Sequence, residues 1–149
     1  MKFRFSLASV LNHRERLERD AEIALGKEVQ KLVKLENQLE ELLEEYKNLV
    51  SAGAIQHGRA FSADRLMDFI NYAERLKQLA AMKKLEIKQQ SDEVEKARAE
   101  LVKKTQDKKA LEILRDSQKA EFKLAEKRME AKQMDEAARN LLYSDRAKI

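Results

Sequence analysis

The sequence predicts an all-α fold, an antiparallel two-helix coiled-coil hairpin in which the second helix overhangs the first. Proline is absent and only three glycines occur among 149 residues. Because proline breaks helices and glycine weakens them, such a chain is suited to long helices. Charged residues make up 39% and aromatic residues 5%, which favours a narrow seam between helices over a compact core. Heptad stripes rich in leucine and alanine, interrupted once, complete the prediction.

The first helix is indicated by a repeat of 3.5 residues that places Leu11 at heptad position a. Ten of the thirteen a and d positions are apolar, and the exceptions are Arg14, Glu18 and Glu28. An apolar stripe of this period forms a coiled-coil seam. We therefore expect helix one at about residues 6–51. The thirteen positions are Leu7, Leu11, Arg14, Glu18, Ala21, Leu25, Glu28, Leu32, Leu35, Leu39, Leu42, Tyr46 and Leu49.

The stripe is interrupted at about residues 52–61, a segment that contains two of the three glycines and is predicted to be the hinge. The period then restarts and predicts helix two at about residues 63–146. Its first six a positions are all apolar, and the stripe fades after Leu101. These six positions are Leu66, Ala73, Ala80, Ile87, Val94 and Leu101.

The start of helix two carries the clearest capping signals in the chain. Ser62 is suited to cap a free backbone N–H of the first turn through its hydroxyl. Asp64 favours the positive end of the helix dipole, and Phe61 with Leu66 fits a hydrophobic staple.

A short hinge lets the two helices fold back on each other within a single domain spanning residues 1–149. Folding near residue 56 sets Leu7 opposite roughly residue 106, close to the point where the second stripe fades. About 40 residues of helix two would then project beyond helix one, roughly 60 Å of helix. We expect a monomer; the alternative is a parallel homodimer of one long bent helix.

Charge is unevenly distributed along the chain. Residues 1–35 carry eight basic and five acidic side chains, residues 36–102 ten and thirteen, and residues 103–149 thirteen and nine. A hairpin would bring the first and last segments to one basic end. Most of these charged side chains lie on solvated helix faces. The difference in net charge between the two ends of the hairpin can steer each end towards a different partner.

Several classes of function are disfavoured by the residues present. No cysteine occurs, and His13 and His57 have no companions at metal-ligand spacing, so neither a metal nor another cofactor is expected. No phosphate-binding loop or nucleophile elbow is found, and we predict that the chain is not an enzyme. Acidic residues interrupt the basic region at 103–132, which argues against nucleic-acid binding. No apolar run approaches the length of a membrane span, and a cytoplasmic location is expected.

Two segments resemble a known family. The opening FRFSLASVLNHRER (residues 3–16) is similar to that of the FliJ family of flagellar export proteins. The run AEKRMEAKQMDEAA (residues 125–138) resembles the family's tail, in which Glu-x-Arg-x-x-x-Lys-x-x-Asp-Glu recurs.

The resemblance implies a cytoplasmic component of the flagellar type III export apparatus. It implies three partners: the hexameric export ATPase, whose ring the stalk-like open end would enter, the cytoplasmic domain of the export-gate membrane protein, and export chaperones, which it would escort or recycle. The resemblance further implies a ring-facing group near the end of helix two, with helix-stabilising ion pairs as the alternative role. This group is Glu126, Arg128, Lys132, Asp135 and Glu136.

The same resemblance implies a gate-facing group near the hinge, although plain core packing is the alternative for most of its members. Tyr46 and Phe69 are the best candidates for contact because aromatic residues anchor interfaces. The group is Gln38, Leu42, Tyr46, Leu49, Phe69, Ala73, Leu76 and Ala80. Two other functions stay open from the sequence, the stalk of a virulence-type secretion system and a purely structural coiled coil or holdase.

Overall fold

The computed structural model of the chain describes residues 2–56 and 62–147. Two helices account for nearly all of them, α1 at Ala8–Gln56 and α2 at Ala63–Ala147. The described residues contain no strand, and the predicted all-α class is confirmed. Helix α1 continues about five residues past its expected end, so the predicted hinge at 52–61 begins too early. Residues 57–61 lie outside the described part of the chain.

The start of α2 follows the predicted capping geometry. The hydroxyl oxygen of Ser62 accepts a hydrogen bond from the backbone N–H of Arg65 at 3.3 Å, and its carbonyl accepts one from Leu66 N–H at 3.1 Å. Asp64 occupies the first turn, where its charge favours the positive end of the helix dipole. The predicted staple involves Phe61, which lies outside the described residues.

The chain forms two compact units. Unit 1 consists of Met1–Glu18 with Lys104–Ile149, and unit 2 of Arg19–Lys103. In unit 1, Phe3 contacts Phe122 while Arg14 bonds to Asp107, so the two chain segments run in opposite directions.

Unit 2 has the same antiparallel arrangement. Glu28 pairs with Gln90, Gln38 with Lys83, and residues closer to the end of α1 pair with residues closer to the start of α2. The antiparallel pairing expected of a two-helix coiled coil is therefore observed in each unit.

The heptad register predicted for α1 agrees with the burial of its side chains. Each of the thirteen a and d positions is buried or half-buried, including the three that are polar. Leu11 in unit 1 and Ala21 in unit 2 are the most enclosed of them, at 5% and 9% exposure. In α2 the a and d positions Leu76, Ala80 and Val94 are equally buried.

The paired part of unit 1 extends further along α2 than the fading stripe predicted. Phe3 packs against Phe122 with ring centroids 5.6 Å apart, which is inconsistent with Leu7 lying opposite residue 106. The expectation was wrong because the a positions Lys108 and Arg115 stay half-buried despite their charge. Lys108 is held there by Glu18, so a polar residue continues the seam where apolar residues thin out.

Candidate protein-binding surfaces

The last part of α2 forms the first candidate surface. Phe122 is half-buried against Phe3, and every residue from 123 to 147 is exposed. This exposed tail of 25 residues includes large apolar side chains near its end. Leu141, Leu142 and Tyr143 are each more than 60% exposed. A helix with this much uncovered apolar surface is suited to packing against another molecule.

The five residues predicted to face the ring all lie in this exposed tail. Arg128, Lys132 and Glu136 follow one another at intervals of four residues, so they lie along one face of α2. Within the described residues none of the five forms a hydrogen bond or an ion pair. Their charged groups face solvent.

The eight residues predicted to face the export gate lie together in unit 2, along the seam between α1 and α2. None is exposed, and Leu76 and Ala80 belong to the core. Gln38 accepts a hydrogen bond from the ammonium group of Lys83 at 3.0 Å. The ammonium of Lys77 lies 5.6 Å from the centroid of the Tyr46 ring, within the range of a cation–π contact.

The ring of Phe69 in α2 packs against Gly53 of α1 within unit 2. Gly53 is buried, and a Cβ atom built on it would overlap the ring of Phe69. The glycine therefore serves packing within helix α1, where the sequence suggested a break. This contact accounts for the presence of a glycine within α1, which continues to Gln56.

Polar pairs cross the seam of unit 1. Arg14 Nη1 lies 3.0 Å from Asp107 Oδ2, and Lys108 Nζ lies 2.9 Å from Glu18 Oε1. The hydrogen bond from Lys108 lowers the pKa of Glu18, and the same bond raises the pKa of Lys108. Both groups are thereby held in their charged forms.

A polar pair also crosses the seam of unit 2. The amide Nε2 of Gln90 donates to Glu28 Oε2 at 2.6 Å and to the Glu28 carbonyl at 2.9 Å. This donation lowers the pKa of the Glu28 carboxyl. All three polar exceptions in the apolar stripe of α1 are therefore bonded to polar residues of α2.

The second candidate surface is an open groove beside the seam in unit 2, which the heptad analysis did not single out. Leu42, Leu79 and Met82 line it, and Leu79 and Met82 are 42% and 62% exposed. Leu79 and Met82 occupy heptad positions g and c of α2, outside the seam of a and d positions. These two apolar residues are the signal in the sequence that indicates the groove. Apolar side chains at these positions widen the stripe beyond what two helices can cover.

Neither a metal-binding cluster nor a membrane-spanning helix is found in the described part of the chain. Residues 2–56 and 62–147 contain no group of three or more His, Cys, Asp or Glu side chains arranged to hold a metal ion. In the same part of the chain, neither helix has a stretch long and apolar enough to cross a membrane.

Comparison with known proteins identifies the class of protein that this arrangement represents. The family model for the flagellar FliJ protein matches residues 2–147, nearly the whole chain. The chain therefore belongs to the FliJ family, as the two resembling segments suggested, and the family is one of structural components of protein export.

A solved structure shares the fold. A Chlamydia trachomatis protein described as a YscO homolog matches with a TM-score of 0.50 and 19% identity. The match covers 99% of this chain and 100% of that one, and at this identity it shows the fold alone. A search among curated protein sequences found no match.

Proposed function

We propose that this chain is a non-enzymatic, stalk-like component of the flagellar type III export apparatus, and that it acts in the cytoplasm. Membership of the FliJ family supports the apparatus. The exposed tail at residues 123–147 is the observation that carries the stalk-like role. We assign this tail to the ring of the hexameric export ATPase.

An exposed helix becomes more stable when a partner covers its apolar side chains. Twenty-five residues of helix extend about 37 Å. Isolated helices are marginally stable in water, and most helical stability comes from packing an apolar face. Docking of Leu141, Leu142 and Tyr143 inside a ring would cover exposed apolar surface and stabilise the tail. The charged face containing Arg128 and Lys132 would set the orientation.

The distribution of charge supports a basic working end. Unit 1 carries sixteen basic and eleven acidic side chains, whereas unit 2 carries fifteen and sixteen. A ring with an acidic interior would attract unit 1, and the near-neutral unit 2 would be left for other partners. We assign to unit 2 the contacts with the export gate and with export chaperones, which the stalk would escort or recycle.

The test of the tail is a double charge reversal, Arg128→Glu with Lys132→Glu, in the full-length chain. We expect stimulation of the purified export ATPase to fall severalfold while the circular dichroism of the helices is unchanged. Lys84→Glu with Lys88→Glu is the matched control, because this pair has the same charge and spacing on an exposed part of α2 in unit 2. Equal losses in both double variants would contradict the assignment.

A second readout addresses the apparatus itself. Expression of the chain in cells that lack their own flagellar stalk protein should restore secretion of flagellar subunits, and the tail variant should not. If the tail variant restored secretion of flagellar subunits to the wild-type level, the charged face of the tail would not be needed for export. Failure of the wild-type chain, at normal abundance, would count against the flagellar role.

A further inference from the structure

The groove in unit 2 has the shape and surface of a helix-binding site. One face of α2 carries residues separated alternately by three and four positions. These residues are Tyr72, Arg75, Leu79, Met82 and Glu86. From Tyr72 to Glu86 this face is about 21 Å long, which matches a partner helix of roughly four turns. Leu42 of α1 completes the apolar lining.

The rim of this groove is acidic. Glu41, Glu45 and Glu86 surround the apolar lining, and Lys83 is the single basic residue beside them. The ammonium of Lys83 is engaged by Gln38 at 3.0 Å and by Glu86 at 3.2 Å, so its charge is largely satisfied within the groove. Three carboxylates and the Lys83 ammonium give the groove lining a formal charge of −2. Arg75 lies on the same face beside Tyr72, so the face from Tyr72 to Glu86 presents a formal charge of −1, with its acidic part around Leu79 and Met82.

The hydroxyl of Tyr72 extends the rim. It donates a hydrogen bond to the Glu45 carboxylate, and this contact raises the pKa of the tyrosine. The bond fixes one carboxylate of α1 against the exposed face of α2. The groove therefore has a defined edge on both helices.

We propose that this groove binds one amphipathic α-helix of a protein partner, with an apolar ridge flanked by lysine or arginine. Charge complementarity selects the partner, since the acidic rim repels an acidic helix and attracts a basic one. Met82 is flexible and polarisable, which suits a surface that adapts to the ridge of another helix. The site is separate from the exposed tail. It shares Gln38 and Leu42 with the predicted gate-facing group, whereas Leu79 and Met82 lie outside that group. The inference therefore deepens the assignment of unit 2 to protein partners and rests on that part of the proposed function, while binding of the designed peptides is measured without the export apparatus.

The experiment uses the full-length chain and two designed peptides of eighteen residues. Both carry leucines at the same helical spacing, but one is flanked by arginines and the other by glutamates. Fluorescence anisotropy should show the arginine peptide binding at least tenfold more tightly, and its affinity should fall as salt screens the rim. Equal binding of the two peptides would overturn the proposal.

Matched substitutions locate the binding on the groove. Met82→Glu should weaken the arginine peptide about tenfold or more, because it buries a new charge under the apolar ridge. Leu85→Glu is the control, since Leu85 is 58% exposed, lies one turn along the same helix and does not line the groove. Similar losses for both variants would overturn the proposal.

Sedimentation of the chain alone tests whether a second copy of the chain occupies the groove. If the chain forms a dimer that Met82→Glu abolishes and Leu85→Glu preserves, the groove is filled by a second copy. That result would refute a basic partner helix as the occupant. A species of unchanged mass in all three proteins, together with selective binding of the arginine peptide, supports the proposal.

Discussion

Two glycines in α1 allow the same substitution to be compared in two environments. A Cβ atom on Gly26 would have nothing within 4 Å, whereas a Cβ atom on Gly53 would overlap the ring of Phe69. Alanine is favoured over glycine in a helix interior by about 0.8–1 kcal/mol. Gly26→Ala should therefore raise the free energy of unfolding by about that amount.

The overlap removes or reverses this gain at Gly53. The half-buried ring of Phe69 must move away, and losing half of its burial costs roughly 0.5–1 kcal/mol. The gain in helix propensity is smaller near the end of α1, about 0.5 kcal/mol. Gly53→Ala should then leave the free energy of unfolding unchanged or lower it by up to about 0.5 kcal/mol, so that the two variants differ by about 1–1.5 kcal/mol.

Urea denaturation followed by circular dichroism measures both variants. A double-mutant cycle with Phe69→Ala isolates the overlap, because Gly53→Ala should become neutral or stabilising once the ring is removed. The predicted overlap is refuted if Gly53→Ala stabilises the chain as much as Gly26→Ala. It is also refuted if the cycle shows no coupling between Gly53 and Phe69.

Three further predictions concern the seam. Reversing Glu18 or Lys108 alone should lower the thermal midpoint, and reversing both should restore only part of it, because a glutamate at position 108 would lie close to Glu112. The pKa of Glu18 is lowered and that of Lys108 raised. The contribution of the pair to stability should therefore be lost as the pH falls through the folded-state pKa of the glutamate or rises through that of the lysine. Thermal scans across pH, with a shallower acid dependence expected for Glu18→Gln, check this. Leu76→Ala should cost about 2–3 kcal/mol in urea denaturation and Leu85→Ala less than about 0.5, since one is 3% and the other 58% exposed. Phe3→Ala should increase amide hydrogen exchange near the start of α1, and exchange as slow as in the wild type would argue that the aromatic contact adds nothing.

The apolar periodicity of the sequence was sufficient to predict the helices and the seam of each unit. A repeat of 3.5 residues fixes which side chains face a partner helix, because side chains three and four residues apart share one face. The cap at Ser62 could be predicted for a similar reason, since it depends on neighbours in sequence.

The features that depend on contacts across the seam could not be predicted in the same way. The extent of pairing was underestimated because Lys108 was read as the end of a stripe, although Glu18 from the other helix completes it. From the sequence alone, Gly53 is predicted to belong to a hinge. Its contact with the Phe69 ring, which the sequence does not reveal, shows that the glycine makes room for that ring. The groove at Met82 was missed because positions g and c are normally solvated.

The polar pairs of the seam have a consequence for the candidate surfaces. An apolar heptad repeat permits neighbouring registers seven residues apart, because each shift again brings apolar residues face to face. Within unit 1, such a shift would separate Glu18 from Lys108 and Arg14 from Asp107. A shift of seven residues towards the end of α2 would set Glu18 opposite Arg115 but Arg14 opposite Leu114, so one half-buried charge would lose its partner. The correct register is therefore favoured by the cost of the alternatives. Because that register sets Phe122 as the last covered residue of α2, the same charges determine the length of the tail available to a partner.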